Sequence, residues 1–232
     1  MEIGTYNFDD ELIQQTIDDR QPRVTVYRME EPAIILGRSS KIDDELNVEA
    51  VIKDSVPVLR RRGGGCAVVL DPGNVIVSVV LPAMGSGKIR EYFSFISDWI
   101  ISGLGEAGVP GVERRGISDL ALDDKKIAGA SMERKKDYVY YSTSILYDPD
   151  VGLMEKYLKH PPREPDYRKG RTHSEFVASI RDKTEGGDIE QFIKNLQAAL
   201  SMDTLMELDA SRGGLIFHVM WMHNREWPEG YL

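Results

Sequence analysis

Two stretches of this chain place side chains that handle anions beside backbone that can approach them. Arg60-Arg61-Arg62 runs directly into Gly63-Gly64-Gly65 and on to Asp71-Pro72-Gly73-Asn74. Successive glycines let backbone close on a ligand and expose amide donors, and guanidinium groups take carboxylate or phosphate oxygens in pairs. That chemistry suits an elongated anionic substrate, although an isolated run of this kind is also a flexible turn beside solvated arginines. It is neither familiar nucleotide loop. No Gly-Lys-Ser/Thr follows it, and no helix follows at the dinucleotide-binding spacing.

The second stretch is Gly116 to Arg134, GISDLALDDKKIAGASMER. Asp119 and Lys126 fall on strands expected to pair, with Gly129 leaving room beside the lysine. A carboxylate and an ammonium facing one pocket can hold Mg²⁺ and an α-phosphate respectively. An ordinary hairpin with a turn-capping Asp and solvated lysines uses the same residues. Alternation along the strand sends Lys125 to the opposite side from Lys126.

Positioning these groups requires a mixed scaffold. The chain has 232 residues, 41% apolar and 29% charged, which is ordinary globular usage and excludes a disordered or collagen-like polymer. Leu12, Ile13 and Ile17 after Asp9-Asp10 predict a helix, and Arg23 to Arg28 and Ala33 to Leu36 predict strands. Asn47 predicts a cap for a short helix through Val48, Val51 and Ile52. Cys66 to Leu70 and Val75 to Leu81, joined at Asp71–Asn74, predict one hairpin, and Ile117 to Leu122 with Lys126 to Ala130 a second. The apolar stripe Ile89, Phe93, Ile96, Ile100 and Leu104 predicts a helix over Lys88 to Leu104. A strand is expected over Tyr138 to Leu146, a loop from Lys159 to Arg171, and a helix over Ile189 to Leu200. Hairpins with interspersed helices and no strict βαβ alternation point to an α+β domain of mixed, largely antiparallel sheets with flanking helices.

Charge and cysteine content narrow the function classes. A net charge of -9 has the wrong sign for coating nucleic acid, and the one cysteine cannot close an internal disulfide. The longest apolar runs are far short of the roughly 20 residues a spanning helix needs. A cytoplasmic protein, with neither nucleic acid nor membrane as partner, is the expectation.

Together the two stretches resemble the catalytic domain of the lipoate-protein ligases, in the biotin and lipoate ligase superfamily. The resemblance runs from about Tyr27 to Leu232 as a single domain, through Ala33 to Arg38 (AIILGR), the Arg/Gly loop with Asp71-x-Gly73-Asn74, Ser118-Asp119-Leu120, Lys126-Ile127-Ala128-Gly129, the Thr143 strand and Glu226-Trp227. It implies an enzyme that condenses lipoate or octanoate with ATP to an acyl-adenylate. The acyl group then passes to a lysine of a lipoyl-carrier domain, of the 2-oxoacid dehydrogenase E2 or glycine-cleavage H protein type. By that resemblance Lys126 is the catalytic ammonium. Arg62, Gly64, Gly65 and Cys66 lie along the acyl site, while Asn74, Asp119, Gly129 and Thr143 lie near the nucleotide, with Asp119 also on Mg²⁺. Many such ligases carry a further small domain after the Glu-Trp segment, so a separately encoded accessory domain is expected here.

Two positions depart from the family pattern. Cys66 replaces a third glycine, and Leu70 replaces a histidine before the Asp-x-Gly-Asn turn. A related branch moves octanoyl or lipoyl groups between carriers through a catalytic cysteine that precedes the Ser-Asp-Leu segment, where this chain has Glu113-Arg114-Arg115. A carrier-to-carrier transferase and a non-catalytic carrier-binding module are the alternative readings. The basic segment containing Lys156, Lys159, Arg163, Arg168, Lys169 and Arg171 is expected either to fold over an adenylate or to meet an acidic carrier. His160, His173, His218 and His223 lack metal-ligand spacing, and Trp99, Trp221 and Trp227 read as packing residues.

Overall fold

The computed structural model describes residues 1–83, 89–184 and 187–214. Strands β1 (Gly4–Thr5), β2 (Arg23–Arg28), β3 (Ala33–Leu36), β4 (Val58–Arg60), β5 (Val68–Leu70), β6 (Asn74–Pro82), β7 (Glu113–Arg115), β8 (Asp119–Leu122), β9 (Lys125–Arg134) and β10 (Tyr138–Leu146) build two sheets. Helices are α1 (Asp10–Asp19), α2 (Ile42–Glu45), α3 (Val48–Lys53), α4 (Ile89–Glu106), α5 (Val151–Tyr157), α6 (His173–Phe176), α7 (Ile189–Ala199) and α8 (Met202–Ser211). This is the α+β architecture expected. The six-stranded sheet runs β2-β6-β10-β9-β8-β7 with every neighbour antiparallel, and the four-stranded sheet runs β1-β4-β3-β5 with both parallel and antiparallel pairs.

The larger sheet is organised around β6, whose run of Val, Ile and Leu is buried along its whole length between β2 and β10. Such residues suit a strand covered on both faces. Val75, Val77, Val79 and Leu81 point into a core closed by Phe95, Ile96, Trp99, Ile100 and Leu104 of α4 and by Phe192 and Leu196 of α7. The α4 stripe is as expected except at its start: Ile89 is exposed, while Phe95 and Trp99 widen the buried face. Trp99 is a packing residue whose indole N–H donates to Thr204 at 2.9 Å. Lys88, His218, Trp221, His223, Glu226 and Trp227 lie outside the described residues.

The expected β5–β6 hairpin is not formed. β5 pairs with β3 in the small sheet and β6 pairs in the large one, so Asp71–Asn74 carries the chain from one sheet to the other. The crossing is secured by Asp71, which accepts from Gly73 N at 2.6 Å and from Asp150 N at 3.0 Å. Asn47 does precede α3, but without a side-chain cap; its amide donates instead to Lys156 O at 3.0 Å. Among the described residues, no helix is long and apolar enough to cross a membrane.

Candidate active site

Alternation along β10 sends Val139, Tyr141 and Ile145 into the α4 core and leaves Ser142 and Ser144 on the opposite face. Register then lines small residues across neighbouring strands: Ser78, Ser142 and Ser131 in one row, and Ser144, Gly129 and Asp119 in the next. The result is a shallow floor, because bulk is missing from adjacent strands at the same level. The repeat Gly129-x-Ser131 and Ser142-x-Ser144 was a readable signal for this floor, yet sequence reasoning selected only Gly129.

Lys126 and Asp119 meet on that floor. The β8–β9 hairpin turns at Asp123 and Asp124, both at positive φ (52° and 61°), the conformation a two-residue hairpin loop demands. A β-bulge between Leu120 and Ala121 shifts the register, so Asp119 pairs with Gly129 while Ala121 pairs with Lys126. Lys126 Nζ lies 2.8 Å from Asp119 Oδ1, and the pair is only partly open, with side chains 25% and 7% exposed. A Cβ on Gly129 would stand 2.8 Å from Lys126 Nζ. The missing side chain is therefore what lets the ammonium cross the strand. Lys125 is exposed, as alternation required.

The glycine loop leans over the same floor. A Cβ on Gly63 would fall 2.7 Å from Ser131 Oγ, whereas one on Gly64 would meet none of the described residues within 4 Å. Gly63 thus packs onto β9, and Gly64 faces none of the described residues. Gly65 sits at φ +94°, beside the Arg61 guanidinium. Arg61, not singled out from sequence, wires the loop: it donates to Ile35 O at 3.0 Å, Gly64 O at 2.7 Å and Cys66 O at 2.9 Å. Burial lowers its pKa to about 10, leaving it charged at neutral pH. Arg62, the expected substrate contact, instead pairs with Asp10 at 2.8 Å. Glu45, also missed, accepts from the Ser40 hydroxyl at 3.0 Å and from Ala67 N, tying the far side of the loop to α2.

Three other expectations meet a different geometry. Thr143 lies opposite Val77 and Ala130, on the α4 face of the sheet, and its hydroxyl donates to Gly129 O at 3.1 Å. Its side chain is therefore directed away from the floor. Asn74 is fully enclosed; its Oδ1 accepts from Asp71 N at 2.7 Å and its Nδ2 is buried without a partner among the described residues. Cys66 is half-buried, lies ahead of β5 rather than within it, and has Sγ 3.7 Å from Arg163 O.

Asp119, expected at a metal, has both oxygens occupied: Tyr167 donates to Oδ2 at 3.0 Å while Lys126 holds Oδ1. The segment bearing Tyr167 thus reaches the site. Arg171 anchors it to the hairpin by donating to Asp124 O at 3.1 Å, and Ala178 N donates to Lys126 O at 2.9 Å. His160 and His173 pair with Glu164 and Glu155, and no group of three or more His, Cys, Asp or Glu residues among those described could hold a metal.

Next to Ser142 the floor deepens into a polar cluster that was not predicted. Asp9 Oδ2 accepts from Tyr140 at 2.6 Å, Ser78 at 2.9 Å and Tyr27 at 3.1 Å, while its Oδ1 is buried without a partner among the described residues. Burial raises the Asp9 pKa above the ordinary carboxylate value, against the pull of those hydroxyls. Ser78 Oγ also lies 3.2 Å from Ser142 Oγ, joining the cluster to the floor.

Comparison with known proteins gives this geometry a context. The model of the lipoyl protein ligase A/B catalytic domain matches residues 5–201. A lipoate–protein ligase of Streptococcus pyogenes is 34% identical over 167 residues, which is 70% of this chain and 48% of that protein. An octanoyltransferase LipM of Geobacillus kaustophilus is 27% identical over 188 residues, 70% of this chain and 67% of that protein. A lipoate-protein ligase A solved with ATP superimposes with a TM-score of 0.70 at 21% identity, covering 88% of this chain and 85% of the other. A bipartite lipoate protein ligase of Thermoplasma acidophilum, described together with its E2 lipoyl domain, gives a TM-score of 0.70 at 20% identity over 88% and 82%. The chain spans about half the length of the first curated relatives it matches.

Proposed function

The chain belongs to the lipoyl protein ligase A/B catalytic-domain family, and from that premise we propose that it is an ATP-dependent lipoate–protein ligase. Lipoate or octanoate attacks the α-phosphorus of ATP, the bond to the departing pyrophosphate breaks, and an acyl-adenylate forms. The ε-amine of a carrier lysine then attacks the acyl carbon, loses its proton to solvent, and AMP leaves. Its acceptor on this reading is a lipoyl-carrier domain, and its setting is cytoplasmic.

The observation that carries this reading is the Lys126–Asp119 pair seated over Gly129 beneath the glycine loop. Negative charge grows on the phosphoryl and acyl oxygens in the two steps, and an ammonium held in place in a water-poor site stabilises it more than mobile solvent does. Asp119 holds that ammonium. Gly64 leaves backbone approachable where Gly63 is packed, which suits an extended acyl chain. The ATP-bound and E2-associated relatives support the nucleotide and the carrier respectively.

Mg²⁺ keeps several waters and commonly binds through one or two carboxylates plus substrate phosphates. Asp119 is one such carboxylate and would be the residue to hold an ion that arrives on the nucleotide. When bound, that ion neutralises phosphate charge.

The second reading is carrier-to-carrier acyl transfer, favoured by the octanoyltransferase relative, of which the chain covers 67% against 48% of the Streptococcus pyogenes ligase. Lipoate-dependent exchange of labelled pyrophosphate into ATP separates the two. Exchange is expected; acyl movement between carriers without ATP, and no exchange, would replace the ligase reading.

A further inference from the structure

Arg168 lies in the stretch between α5 and α6, within the connection that reaches the site. Its side chain is 6% exposed in a stretch without helix or strand. The guanidinium carbon lies 4.9 Å from the Phe176 ring centroid, Nε donates to Arg171 O at 2.9 Å, and the Glu164 carboxylate stands 3.6 Å away. Nη2 is buried and has no partner among the described residues. A guanidinium stays charged even where burial lowers its pKa, and a buried cation with idle donors is unfavourable unless something completes it.

The adjacent residue shows where that cation stands. Tyr167 donates to Asp119 Oδ2, and Asp119 Oδ1 holds Lys126. One connection therefore carries both the tyrosine that hydrogen-bonds Asp119 and, next to it in the chain, a buried, incompletely paired guanidinium. Lys126 is a single-point cation matched to one phosphoryl oxygen. Arg168 has a planar fork, which suits a dianionic group offering two oxygens at once.

We propose that Arg168 binds the terminal phosphates of the nucleotide and holds the inorganic pyrophosphate they become. The assignment rests on the ATP-dependent reading above and adds to it a residue for the leaving group. It separates the site into Lys126 at the α-phosphate and Arg168 at the departing end. It also gives the 159–172 connection a ligand to close upon.

Calorimetric titration of the full chain in Mg²⁺ buffer tests this with three probes: inorganic pyrophosphate, ATP, and a non-hydrolysable acyl-sulfamoyl adenosine, which has no phosphate. In Arg168→Gln, pyrophosphate and ATP should bind about tenfold or more weakly, in line with losing hydrogen bonds to a charged group. The sulfamoyl analogue should bind as to the wild type, and Arg168→Lys should recover part of the pyrophosphate affinity. Unchanged pyrophosphate binding in Arg168→Gln overturns the assignment, and so does an equal loss for the analogue, which would mark a purely structural arginine. A wild-type chain that binds the analogue but neither ATP nor pyrophosphate removes the ATP-dependent reading and this assignment with it.

Discussion

Lys126 Nζ sits 2.8 Å from Asp119 Oδ1 directly above Gly129, so a strand position without a side chain is what brings the site's ammonium and carboxylate together. Lys126→Ala should lower adenylate formation by about 10²- to 10³-fold, the range for removing one preorganised electrostatic donor. Asp119 would be left with the Tyr167 hydroxyl and a long contact from the Ser118 hydroxyl at 3.5 Å, and a loss of about 1–3 kcal/mol in stability should accompany the change. Pyrophosphate exchange and denaturant unfolding measure the two effects separately; near-wild-type exchange would remove Lys126 from the mechanism.

Gly129→Ala provides a subtler probe of the same contact. Its new methyl would collide with the tip of Lys126, a flexible group that can swing aside. Activity should fall while the unfolding midpoint moves little. Gly63→Ala should behave differently, because its methyl meets Ser131 and, at 3.2 Å, the backbone N of Met132. It should destabilise the chain, with partial recovery in the Gly63→Ala/Ser131→Gly double variant; no recovery would mean that the loop does not rest on β9.

Asp9 should give the protein a distinctive pH dependence. Its native pKa is raised by burial, so the native state holds the proton more tightly than the unfolded chain does. Its contribution to stability is therefore complete below the unfolded value of about 3.9 and is lost as pH rises through the raised native value. Asp9→Asn cannot ionise. The difference in melting temperature between variant and wild type should grow in favour of the variant as pH rises from the unfolded value of about 3.9 through the raised native value, then level off. A constant difference across that range would mean that Asp9 is already ionised in the native state.

Cys66 separates an adenylating enzyme from one that stores its acyl group as a thioester. Half-buried ahead of β5, its thiol is near Arg163 O. Cys66→Ser should retain lipoate-dependent exchange, and acid-quenched wild-type protein should show no hydroxylamine-labile adduct by intact mass. An adduct together with an inactive serine variant would establish transfer through the thiol.

What the sequence determined by itself is what depends on residues close together along the chain. The turn at Asp123-Asp124 and the strands on either side of it bring Asp119 and Lys126 onto one hairpin, and the three-to-four spacing of Ile96, Ile100 and Leu104 produces the buried face of α4. Tertiary structure decided the rest. Asp71-Pro72-Gly73-Asn74 looks the same locally whether it folds back or crosses between sheets, and only the pairing of β5 with β3 selected the crossing. Arg61 and Arg62 are indistinguishable as letters; burial under the glycine loop took one, and Asp10 at the start of α1 took the other. Asp9 meets Tyr140 across 131 positions of sequence, and Tyr167 meets Asp119 across 48. Convergence of that kind follows from how two sheets stack and where a long connection returns, which no local spacing records.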